Sequence, residues 1–117
     1  MNEQTVSLQV NPGGVATVML DRPEKHNAFD DGMIAELRQH FDALAGRDDV
    51  RVVVLASSGK SFSAGADLGW MQRMAEYDFG HNMKDAEQLA GMLRALYELP
   101  QPTIARVQGA AFGGAVG

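Results

Sequence analysis

The chain has 117 residues, of which 45% are apolar and 21% charged, and its net charge is −5 with no cysteine. This composition predicts one globular unit and excludes disulfides and thiolate metal sites. The ten Lys and Arg residues are scattered, the N-terminus lacks a leader pattern, and no long apolar window is present, so we expect a cytoplasmic protein that binds neither nucleic acid nor membrane.

The first half of the chain indicates a β-hairpin, a helix and a buried strand. Residues 5–10 alternate apolar and polar side chains, the turn "NPGG" follows, and residues 15–21 form the returning strand. Asp30 is expected to cap a helix that runs to about Ala45. Residues 51–57 are continuously apolar, which predicts a strand covered on both faces. The helix has an apolar face and a glycine stop: Met33, Ile34, Leu37, Phe41 and Leu44, with Gly46 at the end.

The second half continues the alternation of helix and strand. Residues 58–69 form a loop of small residues, with a short turn expected at Leu68–Met71. A helix is predicted over 82–99, and a strand over 103–109 leads into a glycine-rich turn. We therefore expect an α/β fold with its loops gathered at strand ends. The predicted buried stripe of this second helix is Ala86, Leu89, Ala90, Leu93, Leu96 and Tyr97.

Two loops of small residues each follow an apolar strand, "FSAGAD" at 62–67 and "GAAFGGA" at 109–115. Small residues let a ligand approach the main chain, and a helix start near Gly113 would aim free N–H groups at an anion or a polarised carbonyl. Tight packing of strand against helix is the simpler explanation of either loop alone. A dinucleotide fingerprint counted from Gly109 lacks its central glycine, and no Gly-Lys-Ser/Thr ends the loop as a P-loop requires.

Three segments in the same order resemble the crotonase superfamily, the enoyl-CoA hydratases and isomerases. "LDRPEKHNAFD" (20–30) is similar to the first CoA-contacting loop, "SFSAGADL" (61–68) to the loop with the first oxyanion donor, and "PTIARVQGAAFGGA" (102–115) to the segment with the second. The resemblance covers the whole chain, residues 1–117, as the N-terminal portion of a crotonase-like ββα spiral whose C-terminal part is absent. "AGADLGWMQRMA" and "QGAAFGGAVG" resemble more narrowly the methylglutaconyl-CoA and γ-carboxygeranoyl-CoA hydratases of leucine and terpene breakdown.

The resemblance implies that the main-chain N–H groups of Ala66 and Gly114 bind the thioester oxygen when an enolate forms. It implies a CoA substrate, no further cofactor, no metal, and a trimer or hexamer. Asp67 is equally well explained as a cap for the following turn, and Lys25 as a solvated loop lysine. The residues implied to line the CoA path are Lys25, Ala28, Ala64, Gly65, Ala66, Asp67, Leu68 and Gly114.

The sequence departs from the family at the groups that move protons. Hydratases commonly use two glutamates as acid and base, but Gly117 stands at the position of the first, and the second would lie beyond the chain. We therefore expect a fragment of a longer hydratase that manages with the downstream carboxylate. His40 lies on the first predicted helix beside its apolar stripe, and His26 and His81 lie in loop-like stretches. Scattered single histidines of this kind are usually structural or surface residues, and we assign none to catalysis. Isomerase or thioester hydrolase chemistry, and an inactive CoA-binding module, remain alternatives.

Overall fold

The computed structural model describes residues 4–117 as an α/β fold built on a four-stranded sheet. The strands β1 (Val6–Val10), β2 (Val15–Leu20), β3 (Val52–Ser57) and β4 (Thr103–Ala105) lie side by side in chain order. β1 and β2 form the predicted antiparallel hairpin, whereas β2, β3 and β4 run parallel. The parallel strands therefore deliver the loops that follow β3 and β4 to the same edge of the sheet.

The first helix, α1 (Asp31–Ala45), confirms the prediction at both ends. Asp30 adopts an extended backbone and its side chain accepts from Met33 N at 2.9 Å, which satisfies one free N–H of the first turn. Gly46 follows the last turn. All five predicted apolar positions are buried, at 4% exposure or less: Met33, Ile34, Leu37, Phe41 and Leu44.

The loop after β3 contains a helix where only a short turn was predicted. α2 spans Leu68–Glu76, and Asp67 caps it by accepting from Trp70 N at 2.9 Å. Only Trp70 is buried in this helix, and the Trp70 indole donates to Asp85 of the next helix at 3.2 Å. The capping carboxylate, the buried Trp70, the half-buried Met74 and the ion pair of Arg73 with Asp31 hold this helix, whereas Leu68 and Met71 are exposed.

The last helix, α3 (Phe79–Tyr97), begins three residues earlier than predicted because Asp78 caps it through His81 N. The predicted buried stripe is wrong in part. Met92 is buried and Leu89 and Leu96 are half-buried, but Tyr97 is 90% exposed and Leu93 42% exposed, and the alanines of the stripe are also exposed. α3 packs against α1, and that contact selects a helix face rotated from the one that sequence periodicity favoured.

Two strand predictions also need correction. β3 is not covered on both faces by residues 4–117, since only Val53 and Ala56 are fully buried in it, and α1 and α3 pack on each other as one helical layer. The predicted strand over 103–109 ends at Ala105. After it the chain crosses the loop that follows β3, where a β-carbon on Gly109 would lie only 1.9 Å from the carbonyl oxygen of Lys60.

Candidate active site

Three loop segments meet beside the sheet and pair through their main chains. Phe29 forms a parallel bridge with Ala66, in which Phe29 N donates to Gly65 O at 2.9 Å and Asp67 N donates to Phe29 O at 2.8 Å. Ser63 forms a second parallel bridge with Ala111. The first loop, the loop after β3 and the glycine-rich turn after β4 are thereby joined into one backbone layer, with the loop after β3 in the middle.

Two buried polar side chains fix this layer. Asn27 has a left-handed backbone (φ 54°) and is fully buried. Its amide oxygen accepts from Arg22 N at 2.7 Å, and its nitrogen donates to the carbonyls of Ser58 and Ser61 at 2.7 and 3.1 Å. Ser63 Oγ donates to Asn27 O at 2.9 Å and accepts from Gly65 N. These bonds hold the first two loops at a defined spacing.

The glycine-rich turn ends in a 3-10 helix, Gly113–Ala115, beside the middle loop. A β-carbon built on Gly65 would lie 2.8 Å from Phe112 O and 3.4 Å from Gly114 N, so the two turns approach this closely only because Gly65 has no side chain. The N–H groups of Ala66 and Gly114 have no hydrogen-bond acceptor within residues 4–117. Both residues line one open cavity of about 720 Å³.

That cavity gathers most of the residues that the sequence pointed to. Gly65 lies behind the lining, where its positive φ of 90° shapes the turn. Arg22, His26 and Met71 also line the cavity, although none of them was singled out as a CoA-binding residue. The predicted residues found in the lining are Lys25, Ala28, Ala64, Ala66, Asp67, Leu68 and Gly114.

Asp67 has structural partners of its own. Besides capping α2, its carboxylate lies 3.1 Å from the guanidinium of Arg22, which also donates to Ala28 O. Burial raises the pKa of Asp67, but the hydrogen bond from Trp70 N and the charge of Arg22 outweigh it, and the pKa lies below its ordinary value. Asp67 is therefore an ionised capping residue, and its carboxylate is not disposed to take up a proton near neutral pH.

The three histidines and Gly117 lie in four different places in the structure. His26 lines the cavity mouth and its Nδ1 is 3.1 Å from Ser61 Oγ. His81 was placed in a loop from sequence, but it lies in the first turn of α3, 3.0 Å from the Asp78 carboxylate. His40 lies on α1. A β-carbon on Gly117 would have Gly114 O at 3.8 Å as its nearest neighbour.

Arg22, Asn27 and Ser63 are the site residues that sequence reasoning missed. The signal available was weak, because a polar residue in a loop is ordinarily solvated. Only the tertiary structure shows that Asn27 and Ser63 are 0% and 2% exposed. Within the described residues, no group of His, Asp or Glu is arranged to bind a metal, and no helix is long and apolar enough to cross a membrane.

Comparison with known proteins agrees with this arrangement. The chain is 47% identical to an enoyl-CoA hydratase of known structure from Shewanella pealeana, with a TM-score of 0.93 over 97% of this chain and 42% of that one. It is 39% identical to a Thermus thermophilus protein named as a candidate enoyl-CoA hydratase, over 94% of this chain and 44% of the relative. A trans-2-decenoyl-[acyl-carrier-protein] isomerase of Streptococcus mutans is 34% identical over 87% of this chain and 39% of the relative.

The structural similarity confirms the predicted crotonase-like fold. The chain spans less than half the length of each of these relatives. The sequence profile described as enoyl-CoA hydratase/isomerase matches residues 11–117, which is nearly the whole chain. The chain belongs to the enoyl-CoA hydratase/isomerase family.

Proposed function

We propose that the protein containing this chain adds water to the double bond of a 2-enoyl-CoA, and that the N–H groups of Ala66 and Gly114 bind the thioester oxygen. The observation that carries the proposal is that these two N–H groups lie on adjacent turns, line the same cavity and have no acceptor within residues 4–117. Membership of the enoyl-CoA hydratase/isomerase family supports a substrate of the enoyl thioester class.

The chemistry follows from where charge develops. Addition of water to the β-carbon places negative charge on the thioester oxygen, and two fixed N–H donors stabilise that enolate more than they stabilise the substrate. Loss of one such donor costs about 2.7–4 kcal/mol of transition-state stabilisation. We assign the proton transfers to a carboxylate in a part of the protein other than residues 1–117, because the relatives are more than twice as long and Asp67 is committed to Arg22 and Trp70.

The loop residues provide a path for CoA in this proposal. Lys25 is exposed in the lining of the cavity, where its ammonium group can reach a phosphate of the CoA, and Ala28 and Ala64 contribute small side chains to the same lining. Leu68 is 73% exposed and Met71 43% exposed on the first turn of α2. These two side chains offer an apolar surface for the pantetheine or the acyl chain. CoA enters as part of the substrate, so no separate cofactor is proposed.

For the acyl group we propose a branched, carboxylated chain, as in the breakdown of leucine or acyclic terpenes. Support comes from the motifs "AGADLGWMQRMA" and "QGAAFGGAVG". Turnover of 3-methylglutaconyl-CoA should exceed that of an unbranched enoyl-CoA of similar length. Faster turnover of the unbranched substrate would contradict this choice. We also propose that the protein is cytoplasmic and forms a trimer or hexamer. Light scattering of the full-length protein would test the oligomeric state.

Double-bond isomerisation is the second candidate, favoured by the 34% identity to the Streptococcus mutans isomerase. It uses the same oxyanion donors without adding water. The deciding experiment supplies the full-length protein with a 2-enoyl-CoA and follows both the ultraviolet absorbance of the enoyl thioester and the product mass. Hydration predicts loss of absorbance with a mass gain of one water. A shifted double bond at unchanged mass favours the isomerase, and free CoA release favours a hydrolase.

A further inference from the structure

We propose that Phe29 is a positioning residue that sets the spacing and direction of the two oxyanion donors at once, through its main chain toward Ala66 and through its ring toward Gly114. The inference rests on the proposed function, since it concerns the same two N–H groups. The two contacts come from opposite ends of one residue and reach two different turns.

The main chain of Phe29 fixes the direction of the Ala66 N–H. Phe29 N donates to Gly65 O at 2.9 Å, and Gly65 O belongs to the same peptide unit as Ala66 N. Because a trans peptide is planar, its C=O and N–H point in opposite directions. Holding Gly65 O against Phe29 therefore aims the Ala66 N–H away from Phe29. A second bond, from Asp67 N to Phe29 O at 2.8 Å, holds the next peptide unit.

The ring of Phe29 packs against Gly114. A β-carbon on Gly114 would lie 2.8 Å from Cζ and 3.7 Å from both Cε atoms, so the far edge of the ring faces this glycine. Phe29 is 8% exposed and belongs to the hydrophobic core cluster, which limits the movement of its ring. The turn that carries the Gly114 N–H rests on a rigid surface as a result.

Filling the core is the simpler role for a buried phenylalanine, and a matched residue separates the two roles. Phe41 is also buried, at 1% exposure, and lies on α1, where it takes no part in the loop pairing. If Phe29 only fills the core, Phe29→Leu and Phe41→Leu should both lower stability, and their effects on kcat should be the same. A positioning role predicts an effect on the two amides for Phe29→Leu only.

The experiment is a cycle of Phe29→Leu, Gly114→Ala and the double variant, with Phe41→Leu as the control, in the full-length protein. Phe29→Leu removes the far edge of the ring, and we expect kcat to fall about tenfold with KM nearly unchanged, since a misplacement of about 1 Å costs up to 10²-fold. Gly114→Ala should lower kcat about 10²-fold by pressing its methyl group on Cζ. The double variant should recover several-fold over Gly114→Ala, because leucine vacates that space.

Amide NMR gives a readout that does not depend on turnover. Phe29→Leu should shift the ¹H–¹⁵N resonances of both Ala66 and Gly114, whereas Phe41→Leu should leave both in place. Equal effects of the two leucine variants on kcat and on these amides, or a double variant no more active than Gly114→Ala, would overturn the inference. If the wild type fails to hydrate an enoyl-CoA while the amides still move together, the proposed function fails and the positioning by Phe29 stands.

Discussion

Gly65 lies directly against the carbonyl oxygen of Phe112, so closely that a β-carbon on Gly65 would be 2.8 Å from that oxygen. The backbone of Gly65 is also in the left-handed region, with φ 90°. Together with the bridge between Ser63 and Ala111, this contact holds the loop after β3 against the glycine-rich turn. The two donors, Ala66 and Gly114, lie on these two segments. Substitution here tests the close approach on which the site depends.

We expect Gly65→Ala to lower the free energy of unfolding by about 1–3 kcal/mol, because alanine strains the left-handed backbone and its β-carbon meets a backbone atom that cannot move easily. Thermal or urea unfolding measures the loss. Gly46→Ala is the matched control, since its φ is −94° and its nearest contact would be 4.0 Å away. Equal stability changes in the two variants would contradict the close approach.

The ionised state of Asp67 predicts a pH dependence of stability. Its pKa is lowered in the folded state, so it contributes stability above its unfolded pKa of about 4, and that contribution is lost as the pH falls through the folded pKa. Asp67→Asn keeps an acceptor for Trp70 N but removes the charge that faces Arg22. The free energy of unfolding of the variant should be lower near pH 7 by about 1 kcal/mol and should fall less steeply below pH 4.

Asp78→Asn is the control for this pH effect, because Asp78 caps α3 in the same way but its side chain is 75% exposed. Solvent weakens its interactions, so its removal should change the acid slope less than removal of Asp67. Urea titrations at several pH values measure both slopes. A wild-type slope retained in Asp67→Asn would show that the ion pair with Arg22 does not couple to folding.

Asn27 should be among the most sensitive polar residues of the chain. Asn27→Asp keeps the oxygen that accepts from Arg22 N but replaces both donor bonds with a carboxylate that faces the carbonyls of Ser58 and Ser61. We expect a loss of about 3 kcal/mol in the free energy of unfolding, because a buried charge is left facing acceptors.

The matched control is Asn11→Asp. Asn11 is exposed, and its side chain only accepts, from Val15 N at 3.0 Å, a bond that aspartate can keep. Urea unfolding should show a change within about 0.5 kcal/mol for this surface variant. Similar losses for the two variants would refute the view that buried donors of Asn27 hold the first two loops together.

Lys25 tests the proposed CoA path. Lys25→Met should weaken binding of an acyl-CoA about three- to tenfold at low salt, and the difference should shrink as salt is added, because the ammonium group and the phosphate are both exposed. Calorimetric titration measures it. Lys84→Met removes an exposed lysine on α3 outside the cavity and should leave the affinity unchanged. Equal weakening by both variants would point to general attraction of the anion rather than to a site.

The secondary structure was predictable where signals from residues close together in the chain agreed. The α1 prediction holds at both ends because Asp30, Gly46 and the spacing of the apolar residues agree with one another. α2 was predicted only as a short turn because its position depends on long-range contacts, among them the hydrogen bond from Trp70 to Asp85 and the ion pair of Arg73 with Asp31. The buried face of α3 was chosen by packing on α1, since apolar residues occur on more than one face of that helix and periodicity alone could not rank them.

The sequence by itself determined the hairpin, α1 and the small-residue composition of the two loops, because each depends on neighbours in the chain. The tertiary structure alone decided that Phe29 pairs with Ala66, that Ser63 pairs with Ala111, and that Asn27 is buried with all its polar atoms bonded. Apart from the local bond between Arg22 N and Asn27, those contacts join residues 31 to 48 positions apart in the chain, from the bond of Asn27 to Ser58 to the bridge between Ser63 and Ala111. These hydrogen bonds stabilise the fold because their donors and acceptors are removed from water, and the two partners meet only once the sheet has formed.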